Sequence, residues 1–386
     1  MKSKERVQRA FHFNKPDRVP RSYFSLKNDF FPVIVLEPKG FQPTEYPPHV
    51  NGGPRGYKSL WMRRLVMGYK WKKKHRKKLD LPRRWWNHEK DGKILTIDEW
   101  GLIWKSGGAQ RDLTMGHPYR GPFHDSWDAL EDHPFPDPKD PSRYRFWRGL
   151  IKAAGCKKYL LGMFSLLFIH NLSSNLRGFS KIMIDFVRNP KPVHRLIEII
   201  TDIYFREVEL LKEKCPKLDA IMVFDDLGTQ KSPVISPAQF KKFYYDPYKK
   251  IIDLVHDLGM DFILHSCGQI KQLLPIFEDL GVDVMEFDSP HLTGVENFKD
   301  YAQEQKMAFW LSSNIQSTYS QGTPEEIEEE VKYFVREIGN NHGGLGFYTY
   351  MDYKVLDAPK RNVKAFRKAM KKWGNYNHQG IIDWLA

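Results

Sequence analysis

His265 and Cys267 stand two residues apart at the end of the apolar run DFILHSCG (261–268), just ahead of a helical pattern. On an extended chain residues i and i+2 face the same way, so both side chains can enter one pocket. An imidazole and a thiolate suit a zinc ion that takes a third protein ligand and keeps one position open for chemistry. The same pair also fits a core cysteine beside a satisfied histidine. Other apolar runs end in polar groups of the same kind: Asp225 and Asp226, Glu286 and Asp288, Asn314, and Tyr350 with Asp352. Adjacent carboxylates on a strand end point to opposite sides, so at most one of Asp225 and Asp226 enters a shared cleft. Gln230 and Asn314 are amides able to orient a substrate oxygen. Glu286 reads as a further ligand or a salt-bridged wall residue, and His117 and His170 as loop histidines.

These positions need elements to hold them. Strand patterns occur at YLLGMFSLLFI (159–169), AIMVFDDLG (220–228), DFILHSCG (261–268), DVMEFD (283–288), MAFWLSSN (307–314) and GLGFYTYMD (344–352), with helical patterns between them. Two helices carry explicit starts, Ser236 before Pro237 and Thr323 before Pro324 with acids in its first turn. Strands separated by helices pair in parallel through right-handed crossovers. DRVPRSYF (17–24) adds a seventh strand, one short of a closed barrel, while KILTIDEWGLIWKS (93–106) alternates like an antiparallel hairpin. The expectation is an α/β fold, a (β/α)8 TIM barrel with an N-terminal extension. It occupies residues 1–386 as a single domain, with a basic, Trp-rich insertion and hairpin at 44–110. Chemistry in such a barrel sits at the C-terminal ends of the strands, where His265, Cys267 and the carboxylates fall.

Bulk composition narrows the class. Of 386 residues 41% are hydrophobic and 14% aromatic, enough for a globular core. No apolar window approaches the roughly 18 residues of a membrane helix, and MKSKERVQRAF lacks the apolar centre of a signal peptide. Three cysteines, at 156, 215 and 267, make no disulfide framework, so a reducing cytoplasm is expected. The net charge is +14, yet Arg55–Lys90 alone holds fourteen Lys or Arg against Asp80 and Glu89, a local +12. That segment also carries Trp61, Tyr69, Trp71, Trp85 and Trp86. It reads as a solvated or homodimer-contacting insertion, as a steering arm for an acidic partner, or as a nucleic-acid patch. No nucleic-acid motif accompanies it, so a basic nucleic-acid-binding protein is the last of the functional readings.

The span from Val223 to Asp288, which contains FDDLGTQ, SPAQFKKFYYDPYKKIIDLVHDLG and LHSCGQ, resembles the uroporphyrinogen decarboxylase superfamily. RVQRAFHFNKPDRVP, LRGFSKIMIDFVRNPKPVHRLIE, GTPEEIEEEVKYFV and APKRNVKAFRKAM agree with it in order along the chain. The resemblance implies a (β/α)8 barrel with an active site in its C-terminal cleft. Decarboxylases of this superfamily carry R-Q-A-G-R and F-S-D-I motifs that grip an octacarboxylate porphyrinogen. This chain reads RVPRSYFSLKNDFF and DEWGLIW at the corresponding places, so the clamp is missing.

The other branch, cobamide-dependent methyltransferases, is similar in H-x-C-G at the strand end and binds zinc there with a second, distant cysteine. Counting back from Pro359, the distant ligand falls on Asp352. The resemblance thus implies zinc on His265, Cys267 and Asp352, or a proton carrier at Asp352. It further implies a corrinoid held on a partner protein and a small methylated substrate. A methoxylated aromatic is the preferred substrate. Its phenol-type leaving oxygen has a pKa near 10, so protonation or Lewis-acid contact would accelerate transfer by about 10²–10⁴. Tyr350 or Asp226 would help that oxygen leave. Gln230 and Asn314 would orient it, and Phe164 and Tyr348, with Phe347, Tyr350 and Trp310, would wall the ring. The same aromatics equally suit a barrel core. The expected activity is therefore an O-demethylase-type, corrinoid-dependent methyltransferase, with a uroporphyrinogen-decarboxylase-like decarboxylase as the alternative.

Overall fold

The computed structural model describes residues 1–22, 28–41, 94–106, 117–145, 157–164, 167–339, 342–350, 353 and 356–376. The basic segment 55–90 and Asp352 lie outside them. Among the described residues the strands are β1 (Arg21–Ser22), β2 (Phe30–Ile34), β3 (Ile94–Ile97), β4 (Ile103–Ser106), β5 (His117–Arg120), β6 (Tyr159–Met163), β7 (Ala220–Phe224), β8 (Asp261–His265), β9 (Val284–Phe287), β10 (Ala308–Leu311) and β11 (Leu345–Tyr348). Contacts divide the chain into two compact units.

The first unit, Met1–Val33 with Phe146–Leu166 and Cys215–Ala386, carries an eight-stranded sheet in the order β1-β11-β10-β9-β8-β7-β6-β2. From β6 round to β1 every neighbouring pair runs parallel. This is the winding of a (β/α)8 barrel, nearly closed, with β1 and β2 at the two ends of the order. Asp29 fastens that seam. Its Oδ2 accepts the Arg21 N–H at 2.9 Å, and its own N–H donates to the Arg21 carbonyl at 3.0 Å. Burial pushes the Asp29 carboxyl up, but Arg18 and Arg6 outweigh it and hold the group below its ordinary range.

The strands read as near-continuous apolar runs because both faces are buried. Carboxylates at strand starts fix register: Asp219 accepts the Leu160 N–H at 2.9 Å, and Asp283 accepts the Phe262 N–H at 2.7 Å. The helix Ser3–Phe11 sends Phe11 among the rings of Phe30, Tyr159 and Trp310. Trp310 in turn stacks on Phe30 at 4.3 Å. The expected helix starts are present: Ser236 Oγ accepts the Gln239 N–H, and Thr323 with Glu326 completes a capping box. Among the described residues no helix is long and apolar enough to cross a membrane.

Three strand expectations shift. The eighth strand is β2, FFPVI, whose Pro32 disguises it because proline cannot donate to a ladder. Among the described residues of the segment 17–24, the strand is Arg21–Ser22, and Pro20 precedes it. The run 159–169 divides into β6 and the start of the helix Ile169–Arg177, a distinction that apolarity alone does not carry. His170 lies buried in that helix, rather than in a loop.

The second unit, Ile34–Arg145 with Leu167–Lys214, holds the antiparallel sheet β3-β4-β5. The hairpin expected over 93–106 is present as β3 and β4. Arg143 is fully buried here, paired with Glu99 and with Glu207 at 2.6 Å, as a buried guanidinium requires.

Candidate functional site

One level of the barrel unit carries the chemistry. Phe224 is in register with His265, His265 with Glu286, Glu286 with Trp310, and Trp310 with Gly346. In-register residues of parallel neighbours face the same side, so these five strands present one inward row. Two residues farther along each strand come Asp226, Cys267, Asp288, Ser312 and Tyr348. The intervening residues face the helices: Phe347 packs on Phe334 and Phe366, and Asp225 accepts the Tyr248 hydroxyl. Asp225 and Asp226 therefore part, as adjacent strand-end carboxylates must.

Loop geometry brings Asp226 to the pair on β8. Gly268 has φ +83°, and a Cβ there would stand 2.3 Å from the Gly228 carbonyl carbon. Only glycines permit this approach. It lets the Gly228 N–H reach the Cys267 carbonyl at 3.1 Å and the Cys267 N–H reach Asp226 Oδ1 at 3.0 Å. His265 Nε2 then lies 3.4 Å from both Cys267 Sγ and Asp226 Oδ1. Ligand atoms of Asp226, His265 and Cys267 all fall within 4.8 Å of one another. The other imidazole nitrogen, Nδ1, hydrogen-bonds to Glu286 Oε2. Glu286 is 5% and His265 9% exposed at the side chain, whereas Asp226 is 54% open, so the group faces solvent on one side.

The electrostatics follow from this crowding. Burial pulls the His265 imidazole down, but the Glu286 charge, then Cys267 and Asp226, hold it well above its ordinary value. Burial and the Asp226 charge push the Cys267 thiol up to about 12 against the pull of His265. Burial raises Asp226 as well, yet its bonds to His265 and the Cys267 N–H leave it below the usual carboxylate range. Asp226 is open at its outer edge and walled by protein behind, which is why both influences act on it. Asp288 is pushed up by burial despite His265, and Glu286 adds to the rise. Its Oδ1 accepts the Tyr348 hydroxyl, and its Oδ2 lies 3.9 Å from Cys267 Sγ.

The sequence-derived candidates among the described residues thus have definite places. Asp226, His265 and Cys267 come together, with Tyr348 joined to them through Asp288. Phe164 is fully buried past the end of β6, and Tyr350 is half-buried beyond β11. Gln230 is exposed in the loop after β7. Asn314 Oδ1 accepts the Gln316 N–H at 3.1 Å and so shapes the loop after β10. Asp288, one of the strand-end carboxylates, and Ser312 join this row in the structure. Their sequence mark is the i+2 relation to Glu286 and Trp310.

The family model described as Uroporphyrinogen decarboxylase (URO-D) matches residues 169–373. The chain belongs to the uroporphyrinogen decarboxylase family. No curated protein matches the sequence. Among solved structures, a methyltransferase from Methanosarcina mazei is similar at 15% identity, covering 96% of this chain and 99% of that one, with a TM-score of 0.54. An L-ribulose 3-epimerase is similar at 12% identity over 62% of this chain and 86% of that one, with a TM-score of 0.37. The first likeness is one of fold, and the second carries no argument. Within this uroporphyrinogen decarboxylase family member, the matched residues 169–373 include Asp226, His265, Cys267, Glu286, Asp288, Trp310, Ser312 and Tyr348.

Proposed function

We propose that this member of the uroporphyrinogen decarboxylase family is a methyltransferase of a corrinoid-dependent system. It would move a methyl group from a small methylated substrate, with a methoxylated aromatic preferred, to a corrinoid carried by a partner protein. The observation that carries the reading is the convergence of Asp226, His265 and Cys267 within 4.8 Å on the open side of the barrel unit.

The donor set fits zinc. It offers one oxygen, one nitrogen and one sulfur, the ligand types of a three-residue site that leaves a position free. His265 is prepared for this role, because the hydrogen bond from Nδ1 to Glu286 leaves Nε2 facing Cys267 and Asp226. Asp226 Oδ1, His265 Nε2 and Cys267 Sγ would hold the ion, whose contribution when bound is Lewis-acid polarisation of a substrate oxygen. Asp352, from the resemblance, remains proposed as a further ligand or a proton carrier. The Tyr348 hydroxyl donates to Asp288 beside Cys267, and this pair would deliver a proton to the departing oxygen. Asp226 and Tyr350 are proposed to assist on the open side, and the corrinoid would serve as methyl acceptor.

Elemental mass spectrometry of protein prepared without chelators tests the reading, together with methyl transfer from methoxylated aromatics to cob(I)alamin followed by absorbance. About one zinc per chain, lost together with turnover in His265→Ala, supports it. Full turnover in His265→Ala, or release of carbon dioxide from a carboxylic acid without any corrinoid, overturns it.

A further inference from the structure

Aromatic residues near the strand ends of the barrel unit differ in how open they are. Phe164 and Phe347 are fully buried, and Trp310 and Tyr348 are 4% and 3% exposed, so these four turn little ring surface to solvent. Phe224, the last residue of β7, is different. It is half-buried, while the four residues before it on the strand are closed. It stands in register with His265 on the inward row, and its ring lies 5.2 Å from the imidazole, tilted by 44°. Asp226 follows two residues on and is 54% open at the side chain. Asp225, between them, turns the other way to accept the Tyr248 hydroxyl. An open surface thus runs along β7 from Phe224 to Asp226, beside His265 and the half-buried Cys267. It joins one apolar ring to the polar group of the site, the composition of a small-molecule pocket in which apolar walls bind and a few polar atoms orient.

We propose that Phe224 is a specificity-determining residue, the wall on which the aryl ring of the methyl donor lies. This rests on the O-demethylation reading above. Two aromatic rings in offset or edge-on contact stand roughly 4.5–7 Å apart between centroids, the range in which Phe224 already meets His265. An oxygen carried on a ring laid against Phe224 is then within reach of the face shared by His265, Cys267 and Asp226. Phe224 offers no hydrogen bond, so it discriminates by shape and by the charge distribution of its face. A flat aryl ether gains ring–ring contact that a puckered saturated ring of the same size does not. Covering a half-open apolar ring also releases the water against it, which favours any apolar ligand and sets the common part of the affinity.

The test is a ligand-observed NMR titration of the full chain with anisole and with methoxycyclohexane, ethers of similar size that differ in the ring. Phe224→Leu keeps an apolar side chain and should weaken anisole by about 2- to 10-fold while changing methoxycyclohexane little. Phe224→Tyr keeps the ring and should keep the parent's preference. Equal losses for both ethers would mean that the residue only fills space, and no loss would place the ligand ring elsewhere. Either result overturns the wall. Zinc content of the same variants adds a readout that a merely supporting role would move. Metal lost in step with anisole would make Phe224 a prop for His265 and would overturn the wall as well. If Phe224→Leu fails to fold, Phe224→Ile decides in its place. Methyl transfer from anisole to cob(I)alamin, run on the same samples, separates this inference from the reaction it rests on. A ring-selective loss with no turnover in the parent sinks the reaction and keeps the aryl-binding wall. Turnover in the parent with unselective losses sinks the wall alone.

Discussion

Glu286 and His265 occupy the same level of adjacent parallel strands, and the Glu286 carboxylate hydrogen-bonds to the imidazole through Nδ1. The register of β8 and β9 thereby decides which nitrogen of His265 faces Cys267 and Asp226.

Glu286→Gln keeps the size of the side chain but removes the charge that orients His265. Zinc affinity should fall about 10- to 100-fold while the fold persists. Competition with a chromophoric chelator, alongside circular dichroism, measures both.

Metal loading should depend steeply on pH. Glu286 and its neighbours hold the His265 imidazole above its ordinary value, and the Cys267 thiol is pushed up to about 12. A proton on either ligand atom must leave before it binds an ion, so affinity should rise with pH and binding should release protons. Calorimetric titration in two buffers of different ionisation enthalpy counts them. Release of none would remove His265 and Cys267 from the ligand set.

Gly268→Ala should cost about 3 kcal/mol. The new Cβ meets the Gly228 backbone at 2.3 Å, and φ +83° suits no ordinary side chain. Urea unfolding should show the loss. Metal binding should weaken too, because the same contact brings Asp226 to Cys267.

Stability should decline on the alkaline side of neutrality. A hydrogen bond to Asp261 raises His12, and one to Asp283 raises His256, each above the ordinary imidazole value of 6.5. A raised imidazole stabilises the fold fully below 6.5, and that contribution disappears as pH climbs through the higher folded-state value. Each pair is partly exposed and contributes less than about 1 kcal/mol. Denaturant midpoints at pH 6 and pH 8.5 should differ less in His256→Gln than in the parent.

Apolar runs ending in Asp226, His265, Glu286 and Tyr348 were legible as barrel strands with polar ends, because burial on both faces leaves a continuous hydrophobic signature. The pairing of His265 with Cys267 was equally legible, since strand geometry turns i and i+2 to one side. The helix starts at Ser236 and Thr323 were written in local capping chemistry. Arrangements that depend on contacts distant along the chain were not. That Asp226 joins His265 and Cys267 rests on the close approach of Gly228 and Gly268, which lie 40 residues apart. The choice of Glu286 as the partner of His265 rests on the register between β8 and β9. The lack of any partner for Trp310 Nε1 becomes visible only once its neighbours are packed. Sequence by itself determined the element types and the chemistry available at their ends, because both follow from local periodicity. Tertiary structure alone decided which of those ends meet, because register and loop approach are set by packing between segments far apart in the chain.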